Sequence, residues 1–125
     1  VGWFPLMALF IVEKLVDEVM VLDLRGRLVL GEETVALRER IKRLVAAGHK
    51  RIVLNLEELA YMDSSGLSAL ISGFVSVRNQ GGELKLLNLT KRVSDLMQIT
   101  KLSTVFEIHD TMEAAQRSFA KPAGA

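Results

Sequence analysis

The chain has 125 residues, 50% of them apolar and 25% charged, with a formal net charge of +1. That length accommodates one domain with a genuine core, and that balance argues against disorder. The basic residues form no uninterrupted patch of the kind that binds nucleic acid, since Arg38-Glu39-Arg40-Ile41-Lys42-Arg43 mixes signs. The absence of cysteine excludes disulfides, thiol catalysis and cysteine-ligated metals.

Val1 to Val12 is nearly all apolar but is interrupted by Pro5 and ends at Glu13-Lys14. Such a run falls short of the ~20 residues of a spanning helix, and it lacks the basic start and cleavage site of a secretory signal. Residues 1–7 are therefore expected to be an apolar extension or a docked arm, with Met7 a candidate start. The domain is expected over residues 8–119, in a soluble, cytoplasmic protein. Leu9–Leu15 and Val19–Leu24, joined at Asp17-Glu18, read as a β-hairpin. Arg25-Gly26-Arg27 is expected to end the second strand, leaving Leu28-Val29-Leu30 as a short apolar piece.

Leu37, Ile41, Leu44 and Val45 recur at helical spacing and predict a helix from about Glu32 to Ala47. Ile52–Leu56 is apolar except for Asn55, as a central parallel strand covered on both faces would be. A second helix is expected from about Ser65 to Asn79, with Leu67, Leu70, Ile71, Phe74 and Val77 inward and Gln80-Gly81-Gly82 as its stop. Leu84–Leu89 predicts a strand. Val93, Leu96 and Met97 predict a short helix with Thr90 as N-cap, and Val105–Ile108 the last strand. Thr111–Phe119 predicts the last helix, capped by Asp110 or Thr111, and residues 120–125, with Pro122 and Gly124, a frayed tail. A hairpin followed by alternating β and α elements specifies an α/β fold with a mostly parallel mixed sheet.

The stretch Met62-Asp63-Ser64-Ser65-Gly66-Leu67-Ser68-Ala69 places two adjacent hydroxyls on a loop that feeds a helix N-terminus. Capping by Ser65 or Asp63, a contribution of ~1 kcal/mol, uses one of these groups and leaves a hydroxyl spare. In open α/β sheets such loops at strand C-termini are where ligands and partners bind. Ser68 and Ser72 read as small spacers within the helix. His49 and His109 show no metal-ligand spacing, and no third ligand clusters with either. Asp63-Ser64-Ser65-Gly66 is not the G-x-S-x-G elbow of a hydrolase, and Gly81-Gly82 is no phosphate-binding loop. Trp3 and Phe4 belong to the N-terminal extension or arm, whereas Met97, Met112 and Phe119 sit at core spacing.

Arg51–Leu56, then Tyr61-Met62-Asp63-Ser64-Ser65-Gly66-Leu67, then Gly81-Gly82-Glu83-Leu84 resemble the bacterial anti-sigma factor antagonists, founding members of the STAS domain family. The resemblance spans about residues 8–119. It implies a STAS-like fold and a binding module that is not an enzyme, without cofactor, metal, direct nucleic-acid contact or membrane span. It also implies that the cognate anti-sigma factor, a serine kinase, phosphorylates Ser64, with Ser65 the less favoured acceptor. Asp63, Ser64, Ser65 and Gly66 would then contact the partner. Unphosphorylated, such a module sequesters the kinase and frees the sigma factor; a serine phosphatase restores that state, and a homodimer is compatible with the role. Two positions depart from the family pattern. Ser68 stands where a second glycine is common, and Leu28-Val29 stands where a Leu-Asp pair is common, which removes an acidic contact. An alternative role within the family is a structural STAS adaptor in a lipid-transport ATPase or a signalling assembly.

Overall fold

In the computed structural model, which describes residues 9–120, the hairpin pairs β1 (Leu9–Val16) with β2 (Val19–Leu28) from Leu9↔Gly26 to Val16↔Val19. Asp17 and Glu18 both take positive φ, 47° and 69°, as the two central residues of a type I′ hairpin turn must. There follow α1 (Glu32–Ala46), β3 (Arg51–Asn55), β4 (Leu59–Met62), α2 (Ser64–Asn79), β5 (Glu83–Leu87), α3 (Lys91–Ile99), β6 (Ile108–His109) and α4 (Met112–Ala120). The strands lie in the order β1-β2-β3-β5-β6, with β4 beside the end of β2. Only the β1–β2 pair is antiparallel. The N-terminal arm and the frayed tail expected from the sequence lie outside the described residues.

Strand alternation separates the two faces of the sheet. Leu22, Leu24, Ile52, Leu54, Leu84 and Leu86 join the buried faces of α1 and α2 in the principal core. Val19, Val21, Val53 and Leu87 point the other way, against Ala115 and Phe119 of α4. β3 is therefore covered on both sides, which accounts for its apolar sequence. Its one polar interior residue, Asn55, donates from Nδ2 to Oδ1 of buried Asp23 at 3.0 Å. On α2, Leu67, Leu70 and Val77 are buried, while Ile71 and Phe74 are only partly buried at the margin of the same core.

Three local expectations are corrected. Arg25-Gly26-Arg27 does not end β2. Gly26 takes φ 105°, and the pairing register shifts between Gly26 and Arg27, so the strand continues to Leu28. A glycine at positive φ inside a strand marks a bulge rather than a stop. Past the bulge β2 exchanges β3 for a new partner, the short strand β4, which periodicity had not indicated. The last strand is also shorter and later than Val105–Ile108. Val105 N–H donates to Leu102 C=O at 3.1 Å, and Phe106 turns into the core, its ring edge-on to Phe74 at 5.4 Å. The ladder to β5 begins only at Glu107, whose C=O accepts from Leu86 N–H at 2.9 Å.

Candidate functional site

The serine pair lies at the junction that the bulge creates. β4 ends at Met62 beside Leu28 of β2, and α2 starts at Ser64. Asp63 occupies the turn between them in an extended conformation and is the N-cap; its Oδ1 accepts from Gly66 N–H at 2.9 Å. The cap is thus Asp63 and not Ser65. The other carboxylate oxygen, Oδ2, accepts from Leu30 N–H at 3.1 Å, and the Asp63 N–H donates to Leu28 C=O at 3.3 Å. One residue therefore ties the start of α2 to the loop between β2 and α1. Burial opposes the charge of this carboxyl, but the amides of Gly66, Leu30 and Ser65 outweigh it and hold Asp63 below the usual carboxylate range.

Gly66 explains how the two segments come so close. It is buried, and a Cβ there would stand 2.3 Å from Leu28 O and 2.7 Å from Met62 Cγ. Its part is close packing through a bare backbone. Ser64, the first helical residue, is exposed, and Ser65 is half-buried. No acidic side chain lies within the first turn of α2, but the ionised carboxylate of its N-cap, Asp63, already faces the positive end of the helix. Ser68 is exposed one turn further on and Ser72 is half-buried.

Two neighbouring features were not anticipated. Two guanidiniums lie over the Tyr61 ring, with Arg27 Cζ 5.1 Å and Arg92 Cζ 5.2 Å from its centroid; these cations come from β2 and α3 and share no sequence pattern. Beside the serines, the backbone N–H of Leu30 is bonded to Asp63 while the residue is 75% exposed.

His109 belongs to a different cluster. Its Nε2 is 2.6 Å from Glu107 Oε2, and Glu107 pairs at 2.9 Å with Nζ of buried Lys85. Lys85 also donates to Ser118 Oγ at 2.6 Å and lies 4.3 Å from the centroid of the Phe119 ring. Burial raises the Glu107 pKa, but hydrogen bonds to Lys85, His109 and Ser118 override that and bring it down to about 2. The cluster pins α4 to β5 and β6. A lysine within Glu83-Leu84-Lys85-Leu86-Leu87 reads from sequence as a solvent-facing residue, and only the packing of α4 reveals that it is buried.

Comparison with known proteins agrees with this architecture. The STAS domain profile matches residues 11–115. The anti-sigma-B factor antagonist of Bacillus subtilis (strain 168) is 39% identical over 72 residues, 58% of this chain and 65% of that protein. The chain thus spans just under two thirds of the length of that relative. The crystal structure of tm1081 from Thermotoga maritima superposes with a TM-score of 0.82 at 22% identity, covering 89% of this chain and 95% of that one. The Bacillus cell fate determinant SpoIIAA in its phosphorylated form gives a TM-score of 0.67 at 25% identity, over 89% of this chain and 99% of that one. The profile runs from β1 into α4, across the hairpin, the bulge and the serine junction, and on that extent the chain belongs to the STAS domain family.

Proposed function

We propose that this chain is an anti-sigma factor antagonist, a binding module switched by phosphorylation of Ser64. The observation that carries the reading is an exposed serine on the first turn of α2 whose capping duty has been taken over by Asp63. Ser64 is favoured over Ser65 as acceptor because it is exposed whereas Ser65 is half-buried. Unphosphorylated, the chain holds an anti-sigma factor serine kinase and so releases the sigma factor. A phosphate on Ser64 ends that contact, and a serine phosphatase restores it. Among the described residues no helix is long and apolar enough to cross a membrane; sigma factors act in the cytoplasm, and the proposal places the chain there.

A phosphoserine brings a charge of about −1.5 to −2. At a helix N-terminus that charge is favoured by ~0.3–1 kcal/mol, offset in part by the ionised Asp63 next to it. The fold should tolerate the modification. A partner packed over the same turn must instead desolvate a strongly hydrated dianion, and losing only ~3 kcal/mol there weakens binding about a hundredfold. The test is to incubate the chain with its kinase and ATP, locate the phosphate by mass spectrometry, and titrate the variants. Ser64→Asp should melt within a few degrees of wild type yet bind the kinase far more weakly, and Ser64→Ala should bind but take up no phosphate. Phosphate found on Ser65, or full binding by Ser64→Asp, would refute the assignment.

A further inference from the structure

The outer edge of the sheet at β5 is only half paired. β5 runs from Glu83 to Leu87, whereas β6 meets it only at Leu86↔Ile108 and Leu87↔His109. Along a strand the backbone groups turn alternately to its two neighbours. Glu83 N–H donates to Lys50 C=O and Leu87 C=O accepts from Leu56 N–H, on the β3 side; Leu86 and Asn88 donate to Glu107 and His109 C=O, on the β6 side. Leu84 shares the direction of Leu86, so its N–H and C=O face the outer edge, where among the described residues no backbone group pairs with them. Continuing the register would bring Phe106 opposite Leu84, but Phe106 turns into the core instead. Leu84 is 2% exposed, and a buried polar group left without a partner costs about 1–3 kcal/mol. Such groups are few in a folded protein, and each calls for an explanation.

A cleft of about 330 Å³ lies at this place, lined by Leu84 together with Phe74, Arg78, Glu83, Val105 and Glu107. Its charges are unevenly committed. Nζ of buried Lys85 already holds Glu107 at 2.9 Å and Glu83 at 3.6 Å, whereas Arg78, in the last turn of α2, has no ion pair among the described residues. What remains is one donor and one acceptor fixed on a strand edge, the apolar side chains of Phe74 and Val105, and one unmatched cation. We infer that this cleft takes a short extended peptide segment of a partner protein, with an apolar residue next to an acidic one. The main chain of the segment pairs with Leu84 as an added strand does, its apolar side chain lies against Phe74 and Val105, and its carboxylate meets Arg78. The volume is at the lower end of the range for ligand sites, which suits a few residues rather than a folded surface. Arg78 stands about 21 Å along α2 from Ser64, at 1.5 Å per residue, so the inference is independent of the proposed function.

The experiment follows the isotope-labelled full chain by NMR as it is titrated with the blocked peptide acetyl-Val-Thr-Val-Glu-Val-amide, and with the same peptide carrying Lys in place of Glu. At millimolar acidic peptide the Leu84 and Glu107 amide resonances should shift, and the Leu84 N–H should exchange more slowly with solvent. The lysine peptide on wild type, and the acidic peptide on Arg78→Ala, should each bind several-fold more weakly, the loss expected of a solvent-exposed ion pair. Arg78→Lys should keep most of the binding. Arg78 is exposed, so Arg78→Ala should melt as wild type does, and Ser64→Asp should titrate as wild type does. Absence of any shift at Leu84, or shifts confined to β1 at the other edge of the sheet, would overturn the inference. An equal response to acetate at the same concentration would also overturn it, because acetate offers the carboxylate without an extended main chain. Either result leaves the assignment of Ser64 untouched.

Discussion

Gly66→Ala tests the junction that holds the proposed switch. The added Cβ would stand 2.3 Å from Leu28 O, where ordinary contact begins at 3.4 Å, so about 1 Å of displacement is required. The obstacle is a backbone carbonyl, held by Asp63 N–H at 3.3 Å and by its place in the β2–β4 pairing, and it cannot rotate aside as a side chain can. Overpacking of this kind costs about 1–3 kcal/mol. The helix-propensity gain of alanine over glycine, at most ~1 kcal/mol in a helix interior, offsets part of it. A net loss of about 1–2 kcal/mol lowers Tm by roughly 4–10 °C in a domain of this size. Gly73→Ala is the control, on the same helix and with the same chemistry. Its Cβ meets the Cδ1 end of Ile41 at 2.7 Å and little else, since Leu84 Cδ1 is already 3.7 Å away. That methyl end can rotate, so Gly73→Ala should stay within about 1 kcal/mol of wild type. Thermal unfolding followed by circular dichroism measures both. If Gly66→Ala melts no lower than Gly73→Ala, the close approach of α2 to Leu28 is not what this glycine is for.

Two further predictions concern stability. Leu70 is fully buried between α2 and the sheet, so Leu70→Ala should cost about 2–5 kcal/mol in urea unfolding; a midpoint near wild type would show that this face of α2 is not the core. Glu107 titrates at about 2 in the folded chain, below its ordinary 4.5, so its contribution is complete above about pH 5 and is lost as pH falls toward about 2. Glu107→Gln should remove that portion of the acid-induced loss of stability, and an unchanged slope over that range would refute the pairing with Lys85.

The parts of the fold legible in the sequence were those with enough residues to show a period. Leu37, Ile41 and Leu44 on α1 repeat over about two turns, and Leu67, Leu70 and Val77 on α2 over nearly three, and all are buried as that repeat requires. β3 is legible for the opposite reason, since covering on both faces removes alternation. β4 offers four residues, too few for either signal, and follows the charged pair Glu57-Glu58. Val105–Phe106 looks strand-like by composition, but the burial of Phe106 against Phe74 takes it out of the sheet. In the second case a tertiary contact outweighed a local preference; in the first there was no local preference to read.

The candidate site divides along the same line. An acid, two serines and a glycine before an apolar helical stripe can be read locally, because capping is a local interaction. The hydrogen bond from Leu30 to Asp63 crosses 33 positions of sequence, and it exists only because Gly26 bends β2 away from β3 and onto β4. Had β2 ended at Arg25-Gly26-Arg27, Leu28 would lie outside the sheet, its carbonyl would not meet the Asp63 amide, and Gly66 would have nothing to approach. The bulge that reads as a strand end is thus what converts a capped helix into a rigid corner. A corner of this kind suits the proposed phosphorylation switch: Ser64 is exposed, while the backbone around it is already bonded and would not need to rearrange on modification.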